Sequence, residues 1–135
     1  MAERDASEVL GYDMDGNLVT LRAGTNGLVC LADDPQKDGF SAACYPASLE
    51  GYMQRGRDLR AEGKAFKEGF DIREEAVQSG ALTIQTNSIL NGPTGKVNPD
   101  SDELENTDRR YVIDSPFATV ESTGIPLGPS TLGGP

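Results

Sequence analysis

Short segments of alternating apolar and polar residues, separated by turn residues, make up the first part of the chain. The segments at 8–13, 18–22 and 28–32 predict β-strands. Asp15-Gly16-Asn17 separates the first two segments, and Gly24-Thr25-Asn26-Gly27 separates the second from the third. Both separators contain dipeptides that tight hairpin turns favour. The pattern therefore predicts a three-stranded antiparallel meander.

An apolar stripe at helical spacing follows the predicted meander and spans about six turns. Glu50 lies near its start, where a negative charge favours the positive end of a helix. Two glycines lie on the stripe, and each costs about 1 kcal/mol of helix propensity. We expect either one long helix with close packing at the glycines or a break near Gly63. The stripe consists of Leu49, Tyr52, Gly56, Leu59, Gly63, Phe66 and Phe70.

The rest of the chain combines a short helix with further strands. Asp71 and Glu74 have the spacing of a capping box, which predicts a second helix ending at Gly80. Turn residues at 91–95 and an acidic loop at 98–108 are expected between strands. The strands themselves are predicted at 82–86, 110–114 and 117–121.

The prediction for the whole chain is one α+β domain over residues 1–121, followed by an extended tail over 122–135. In this domain an antiparallel sheet packs against one long helix, with a short second helix beside it. The tail is rich in proline and glycine. Its apolar residues are expected to contact this chain or a second copy, which makes it the predicted route to a homo-oligomer. Those residues are Ile125, Leu127 and Leu132.

The charge of the chain limits its partners. The net charge is −10, from 22 acidic and 12 basic residues. Nucleic acid and anionic membranes are therefore poor partners, because both require a basic surface. No apolar run of about 18 residues is present, so membrane insertion is not expected. The first residues are charged and polar, so an exported form would already have lost its leader.

Histidine is absent, which limits the catalytic mechanisms and metal sites that the chain can form. Serine–histidine and cysteine–histidine catalysis and the usual zinc ligands are excluded. Any enzyme would have to rely on carboxylates, lysine, tyrosine or a bound metal. The loop at 24–27 lacks the length and the lysine of a phosphate-binding loop, and the aspartates at 13–17 lack the closing glutamate of a calcium loop. We therefore predict turns at both places, no cofactor and no metal site.

A basic flank lies beside the apolar stripe of the predicted helix. It consists of Arg57, Arg60, Lys64 and Lys67, which fall within roughly 80° of arc. Three interpretations stay open. The side chains extend into solvent, they pair with the acidic loop at 98–108, or they bind an anionic ligand.

Cys30 and Cys44 are the two cysteines of the chain. A disulfide between them would join the meander to the helix and add roughly 3 kcal/mol of stability. Two inert thiols or one reactive thiol are the alternatives, although a cysteine nucleophile would have no histidine as its base.

The pattern Leu-Arg-x-Gly-Thr-Asn-Gly at 21–27 continues with Cys30-Leu31, with Asp34-Pro35 and with Cys44. This order resembles a loosely related group of uncharacterised bacterial proteins that look like exported proteins. The resemblance covers about the first third of the chain. It favours export and the disulfide, and it transfers no catalytic residue because the group has no established activity.

The sequence therefore predicts a non-catalytic binding or assembly module in the periplasm or outside the cell, with a cytoplasmic location as the alternative. The ligand is not indicated. A small hydrolase or lyase that relies on carboxylates is the alternative function. An enclosed pocket with two close acids of raised pKa would favour that enzyme.

Overall fold

The computed structural model describes residues 5–86 and 88–125 as an α+β fold, a mixed sheet combined with helices. Helix α1 (Glu50–Ala61) follows a 3₁₀ turn at Ala47–Leu49, and helices α2 (Phe66–Gln78) and α3 (Val120–Thr123) come later. The strands are β1 (Glu8–Tyr12), β2 (Leu18–Arg22), β3 (Leu28–Leu31), β4 (Phe40–Ser41), β5 (Ala43–Pro46), β6 (Ser88–Val97) and β7 (Leu104–Asp114).

The first three strands lie where the sequence places them, but their pairing differs from the prediction. The sheet has the order β2-β1-β3-β5-β6-β4, and β7 pairs with β6. Strands β1 and β2 are antiparallel, whereas β3 runs parallel to β1, with Leu10 opposite Leu31. The antiparallel meander is therefore wrong at its third strand, which pairs with β1 and not with β2.

The loop at 23–27 explains the parallel pairing, because it crosses the chain that leads into β1. The backbone N–H groups of Thr25 and Asn26 both donate to the carbonyl of Ala6, at 2.7 and 3.3 Å. A Cβ on Gly24 would lie 2.1 Å from the backbone nitrogen of Glu8. Glycine is therefore required where the two backbones cross, and the loop is a crossing and not a hairpin corner.

The predicted disulfide between Cys30 and Cys44 is confirmed. The two residues are opposite each other in the antiparallel pair of β3 and β5, with their Cα atoms 4.1 Å apart. The bond joins the N-terminal strands to the segment that leads into α1.

The core lies between the sheet and α1. Leu10, Val29 and Tyr45 come from the strands, and Leu49 packs against them from the 3₁₀ turn. Leu59 of α1 is also fully buried. The apolar stripe predicted for this helix is thus confirmed at Leu49 and Leu59.

The single long helix is not present, because the chain turns at Gly63. This residue has φ +81, and the N–H groups of Gly63 and Lys64 bond back to the carbonyls of Arg60 and Leu59. This is the hydrogen-bond pattern with which a C-terminal glycine commonly ends a helix. The break removes the second half of the stripe from the core, so that Phe66 is 81% exposed.

Helices α1 and α2 pack against each other at their glycines. A Cβ on Gly56 would lie 2.8 Å from Nη1 of Arg73, and a Cβ on Gly69 would lie 3.7 Å from Cβ of Leu59. Close approach at Gly56 was predicted, whereas Gly69 was not singled out. Helix α2 ends before Gly80 as predicted, but it begins at Phe66 and not at Asp71.

Strands β6 and β7 form a long antiparallel hairpin, of which the sequence predicted only the strand at 110–114, the end of β7. The expected turn at 91–95 lies inside β6, the second part of the expected acidic loop (104–108) belongs to β7, and the expected strand at 82–86 is absent. Neighbouring backbones explain the turn residues in β6. A Cβ on Gly92 would lie 3.1 Å from the carbonyl oxygen of Ala42, and one on Gly95 would lie 3.0 Å from that of Glu105.

The segment after β7 forms a turn and the short helix α3 in place of the predicted strand at 117–121. The Thr119 hydroxyl accepts a hydrogen bond from the Ser122 N–H, and Gly124 follows the helix at φ +70. The predicted tail thus begins within this helix, and Ile125 is exposed. Residues 126–135, with Leu127 and Leu132, lie outside the described part of the chain.

Candidate functional site

A cleft of about 290 Å³ lies between α2 and the segment that follows β7. One wall is a face of α2, and the opposite wall is the end of β7 with residues 115–118. Tyr52 of α1 also lines the cleft. The apolar part of the lining consists of Phe70, Val77, Ile84, Ile113, Pro116 and Phe117.

Helical spacing explains which α2 residues face the cleft. Four residues of α2 share one face of the helix, because each lies three or four positions from another member of the set. They are Phe70, Glu74, Val77 and Gln78. This face was partly exposed by the break at Gly63, since Phe70 is 44% exposed. The helix therefore contributes one carboxylate, Glu74, between apolar side chains.

The second carboxylate comes from the last residue of β7. Asp114 is the partner of Ser88 in the hairpin and immediately precedes the turn in which the Ala118 N–H donates to the Ser115 carbonyl. Phe117 occupies this turn with φ +61, a conformation that is uncommon for residues other than glycine. The turn places residues 115–118 along the cleft.

Neither carboxylate has a hydrogen-bond or salt-bridge partner within residues 5–86 and 88–125. Burial raises the pKa of Asp114, and the nearby Arg73 guanidinium lowers it by a smaller amount. Burial also raises the pKa of the Tyr52 hydroxyl, while Arg73 lowers it and the charges of Asp114 and Glu74 add to the increase. The cleft therefore offers a neutral hydroxyl, the half-buried carboxyl group of Asp114 and the exposed carboxylate of Glu74, and neither acid has a close partner among the described residues.

Arg73 lies beside the cleft, next to Tyr52 and Asp114, but it does not line the cleft itself. Its guanidinium carbon lies 4.3 Å from the centre of the Tyr52 ring, a cation–π distance. Its Nε donates to the Gly69 carbonyl at 3.4 Å. Arg73 thus holds the Tyr52 ring in place while its charge partly offsets that of Asp114.

The four residues of the predicted basic flank are divided by the helix break. Arg57 is partly buried and pairs with Glu50 beside the core residue Tyr45. Lys64 and Lys67 lie beyond the break and pair with Glu68 and Asp71, each at 2.7 Å. The Nε of Arg60 donates to the Gly56 carbonyl at 3.4 Å. These carboxylate partners come from the helices, and the anion-binding role of the flank stays a prediction.

The core contains a polar cluster formed by Tyr45, Glu50 and Arg57. The Tyr45 hydroxyl donates to Glu50 Oε2 at 2.7 Å and accepts from Arg57 Nη1 at 3.2 Å. Burial is the main cause of the raised pKa of Tyr45, and the hydrogen bond to Glu50 adds to it. Because these groups satisfy one another, the cluster anchors α1 to β5 and leaves no group available for a ligand.

A second cavity of about 290 Å³ lies beside the loop at 33–39. Two of the three aspartates that line it have partners, and the third, Asp38, is exposed. Asp33 accepts from the Ser41 N–H at 2.8 Å, and Asp34 pairs with Lys37 at 2.8 Å. The hydrogen bond from Lys37 and, to a smaller extent, that from the Gln36 backbone N–H lower the pKa of Asp34. The cleft at Asp114 is therefore the stronger candidate for ligand binding.

Comparison of the chain with models of protein families, with curated proteins and with solved structures finds no match. None of the described helices has both the length and the apolar character required to cross a membrane. Within the described residues, no three metal-ligating side chains are grouped closely enough to hold an ion. The aspartates at 13–17 instead form a turn, in which Asp13 Oδ1 accepts from the backbone N–H groups of Asp15 and Asn17.

The cleft itself was not predicted from the sequence. Its residues come from three separate segments, and no local spacing relates Tyr52 to Glu74 or to Asp114. The available signal was weak. It consisted of Asp114 at the end of a predicted strand, with Pro116 two positions later. This combination indicates where a strand ends, but it does not indicate a ligand.

Proposed function

We propose that this protein is a non-catalytic binding module of an oxidising compartment, and that its cleft holds an organic cation with an apolar body. An alkyl- or arylammonium group has the required chemistry. Its apolar part would pack between α2 and the turn after β7, and its ammonium group would lie between Glu74 and Asp114.

The observation that carries this proposal is that half-buried Asp114 and exposed Glu74 both line the cleft beside apolar side chains, and neither has a close partner among the described residues. A half-buried charge without a partner is unfavourable, so a compensating cation gains more at Asp114 than on an open surface. The net charge of −10 acts in the same direction, because it attracts cations over long distances and repels anions. Both features favour a cationic ligand over an anionic one.

The disulfide supports the proposed location. Disulfides persist in the periplasm and outside the cell, and they are rare in reducing compartments. The bond between Cys30 and Cys44 is therefore consistent with the exported state that the resemblance implies. Recovery of the natural protein with both thiols free would argue for the cytoplasmic alternative.

Calorimetric titration with phenethylammonium tests the proposed ligand class, and phenethyl alcohol serves as its neutral counterpart. We expect the cation to bind and the alcohol to bind about tenfold more weakly, since it lacks the charge-assisted hydrogen bonds. Asp114→Asn and Glu74→Gln should each weaken binding of the cation by a similar factor.

Glu75→Gln provides the matched control, because Glu75 lies on α2 and is exposed without lining the cleft. This variant removes the same charge from the protein and should retain the affinity of the unmodified chain. Equal losses in Glu74→Gln and Glu75→Gln would show that only the net charge matters. Equal affinity for the cation and the alcohol would exclude the proposed ligand class.

A carboxylate-based hydrolase or lyase is the second candidate, and the raised pKa of Asp114 in the cleft favours it. Asp114 would act as a general acid, with Glu74 as the base, in the manner of paired carboxylates. Turnover of chromogenic glycosides or esters that both Asp114→Asn and Glu74→Gln abolish would support this function. Turnover that survives both substitutions would exclude it.

A further inference from the structure

Strand β7 is an edge strand with an unusual exposed segment. Its strand partner is β6, and among the described strands no other pairs with its free edge. Tyr111, Val112 and Ile113 are 62, 45 and 62% exposed, so that three consecutive apolar residues lie on both faces of this edge. Such edges readily pair with a further strand unless the chain protects them.

The residues around Val112 carry charges that would be complementary between two antiparallel copies of the strand. The segment begins with Arg110, continues with three apolar residues and ends with Asp114. In an antiparallel pair of two identical strands, directly opposite side chains lie on the same face of the sheet. Only registers centred on a residue of the strand satisfy this condition.

A register centred on Val112 gives the best match among these. It places Arg110 opposite Asp114 of the second copy twice, Tyr111 opposite Ile113 twice, and Val112 opposite itself. A centre at Ile113 loses both charge pairs, because it opposes Asp114 to Val112 and Arg110 to Pro116. The centres on the other side of Val112 bring like charges together. A centre at Tyr111 opposes Asp108 to Asp114, and centres at Arg110 or Arg109 oppose that arginine to itself.

We propose that two copies of this chain form a symmetric dimer by antiparallel pairing of their β7 strands, centred on Val112. The dimer would continue the sheet across the two-fold axis and cover the exposed apolar residues of both edges. Arg110 already lies 3.6 Å from Asp108 of its own strand, and in the dimer it would also reach Asp114 of the second copy. The pairing does not depend on a ligand, although Asp114 also lines the cleft.

Sedimentation velocity of the full chain, from micromolar to millimolar concentration, tests the proposal. We expect a reversible monomer–dimer equilibrium. Arg110→Asp would place two aspartates opposite each other at both ends of the pair and weaken the dimer by at least about tenfold. Arg109→Asp is the matched control, because it makes the same change in net charge on the opposite face of β7, where residue 109 would face Ser115.

A mixing experiment distinguishes loss of pairing from loss of folding. Asp114→Arg alone would oppose arginine to Arg110 and should also weaken the homodimer. An equimolar mixture of Arg110→Asp and Asp114→Arg would restore both charge pairs and should form a dimer that neither variant forms alone. A monomeric unmodified chain at millimolar concentration would overturn the proposal. Equal dimerisation of Arg110→Asp and Arg109→Asp would also overturn it, as would a mixture that stays monomeric.

Discussion

Removal of the disulfide is expected to destabilise the fold by a predictable amount. Cys30 and Cys44 are separated by 14 positions in the sequence. A ring of this size lowers the entropy of the unfolded chain enough to contribute about 3 kcal/mol. The double variant Cys30→Ala/Cys44→Ala should therefore lose about this free energy of unfolding, while its strands still pair through their backbones.

Urea denaturation followed by circular dichroism measures this loss. For a slope of about 1–3 kcal/mol per molar urea, the midpoint should fall by at least about 1 M. The unmodified protein in a reducing buffer should show a similar midpoint to the double variant, which provides an independent comparison. Thiol titration of the denatured, unreduced protein should find no free thiol.

A change of less than about 1 kcal/mol, well below the expected loss, would refute this reasoning. It would mean that the ring is open in the protein or that the unfolded chain remains compact without it. Detection of two free thiols would decide for the first explanation, and it would also remove the structural support for export.

Three further predictions test other parts of the fold and the site. Gly24→Ala should lower the free energy of unfolding, measured by urea denaturation, by about 3 kcal/mol or more, because the added Cβ would collide with backbone atoms. Gly51→Ala, on an open helix face, should instead raise it by up to about 1 kcal/mol. Tyr45→Phe should lower the free energy of unfolding by about 0.5–1.5 kcal/mol, because it removes the hydroxyl that bonds to the partly buried Glu50 and Arg57; an unchanged midpoint would contradict the role of this cluster. Asp114 has a raised pKa in the folded state, so the folded chain holds its proton more tightly than the unfolded chain, and its contribution to stability falls as pH rises above 3.8. Asp114→Asn should remove that fall, and denaturation midpoints of both proteins across this pH range should therefore diverge with increasing pH; parallel curves would show that Asp114 is not buried.

The sequence predicted local features well where local chemistry decided them. Strands β1, β2 and β3 agree with the prediction to within one residue, because alternating apolar residues and short turns define them. The glycine at position 80 ends α2 as expected. The disulfide was also predicted, with open alternatives, from the loop position of its cysteines and from the resemblance.

Features that depend on distant parts of the chain were not predictable in this way. The residues at 91–95 are typical of a turn, yet backbones from Ala42 and Glu105 approach Gly92 and Gly95 and hold this segment as a strand. The parallel pairing of β1 and β3 depends on the backbone crossing at Gly24. Neither contact leaves a periodic signal in the sequence, and both require the fold to be known.

The helix break at Gly63 shows how one residue can change the predicted secondary structure of a whole segment. The apolar stripe passes through Gly63 without interruption, so periodicity favours a continuous helix. In the structure the left-handed conformation of Gly63 ends α1 and redirects the chain. Phe66 and Phe70 consequently leave the core, and Phe70 becomes part of the cleft wall.

The position of the bound cation is the most direct test of the proposed function. Amide chemical shifts of the isotopically labelled protein, measured during titration with phenethylammonium, would identify the residues that respond. We expect the largest changes at Glu74, at Val77 and at residues 113–115, 117 and 118, with small changes for phenethyl alcohol. Changes that are equal for both probes, or that concentrate at the aspartates of the loop at 33–39, would contradict a cation site in this cleft.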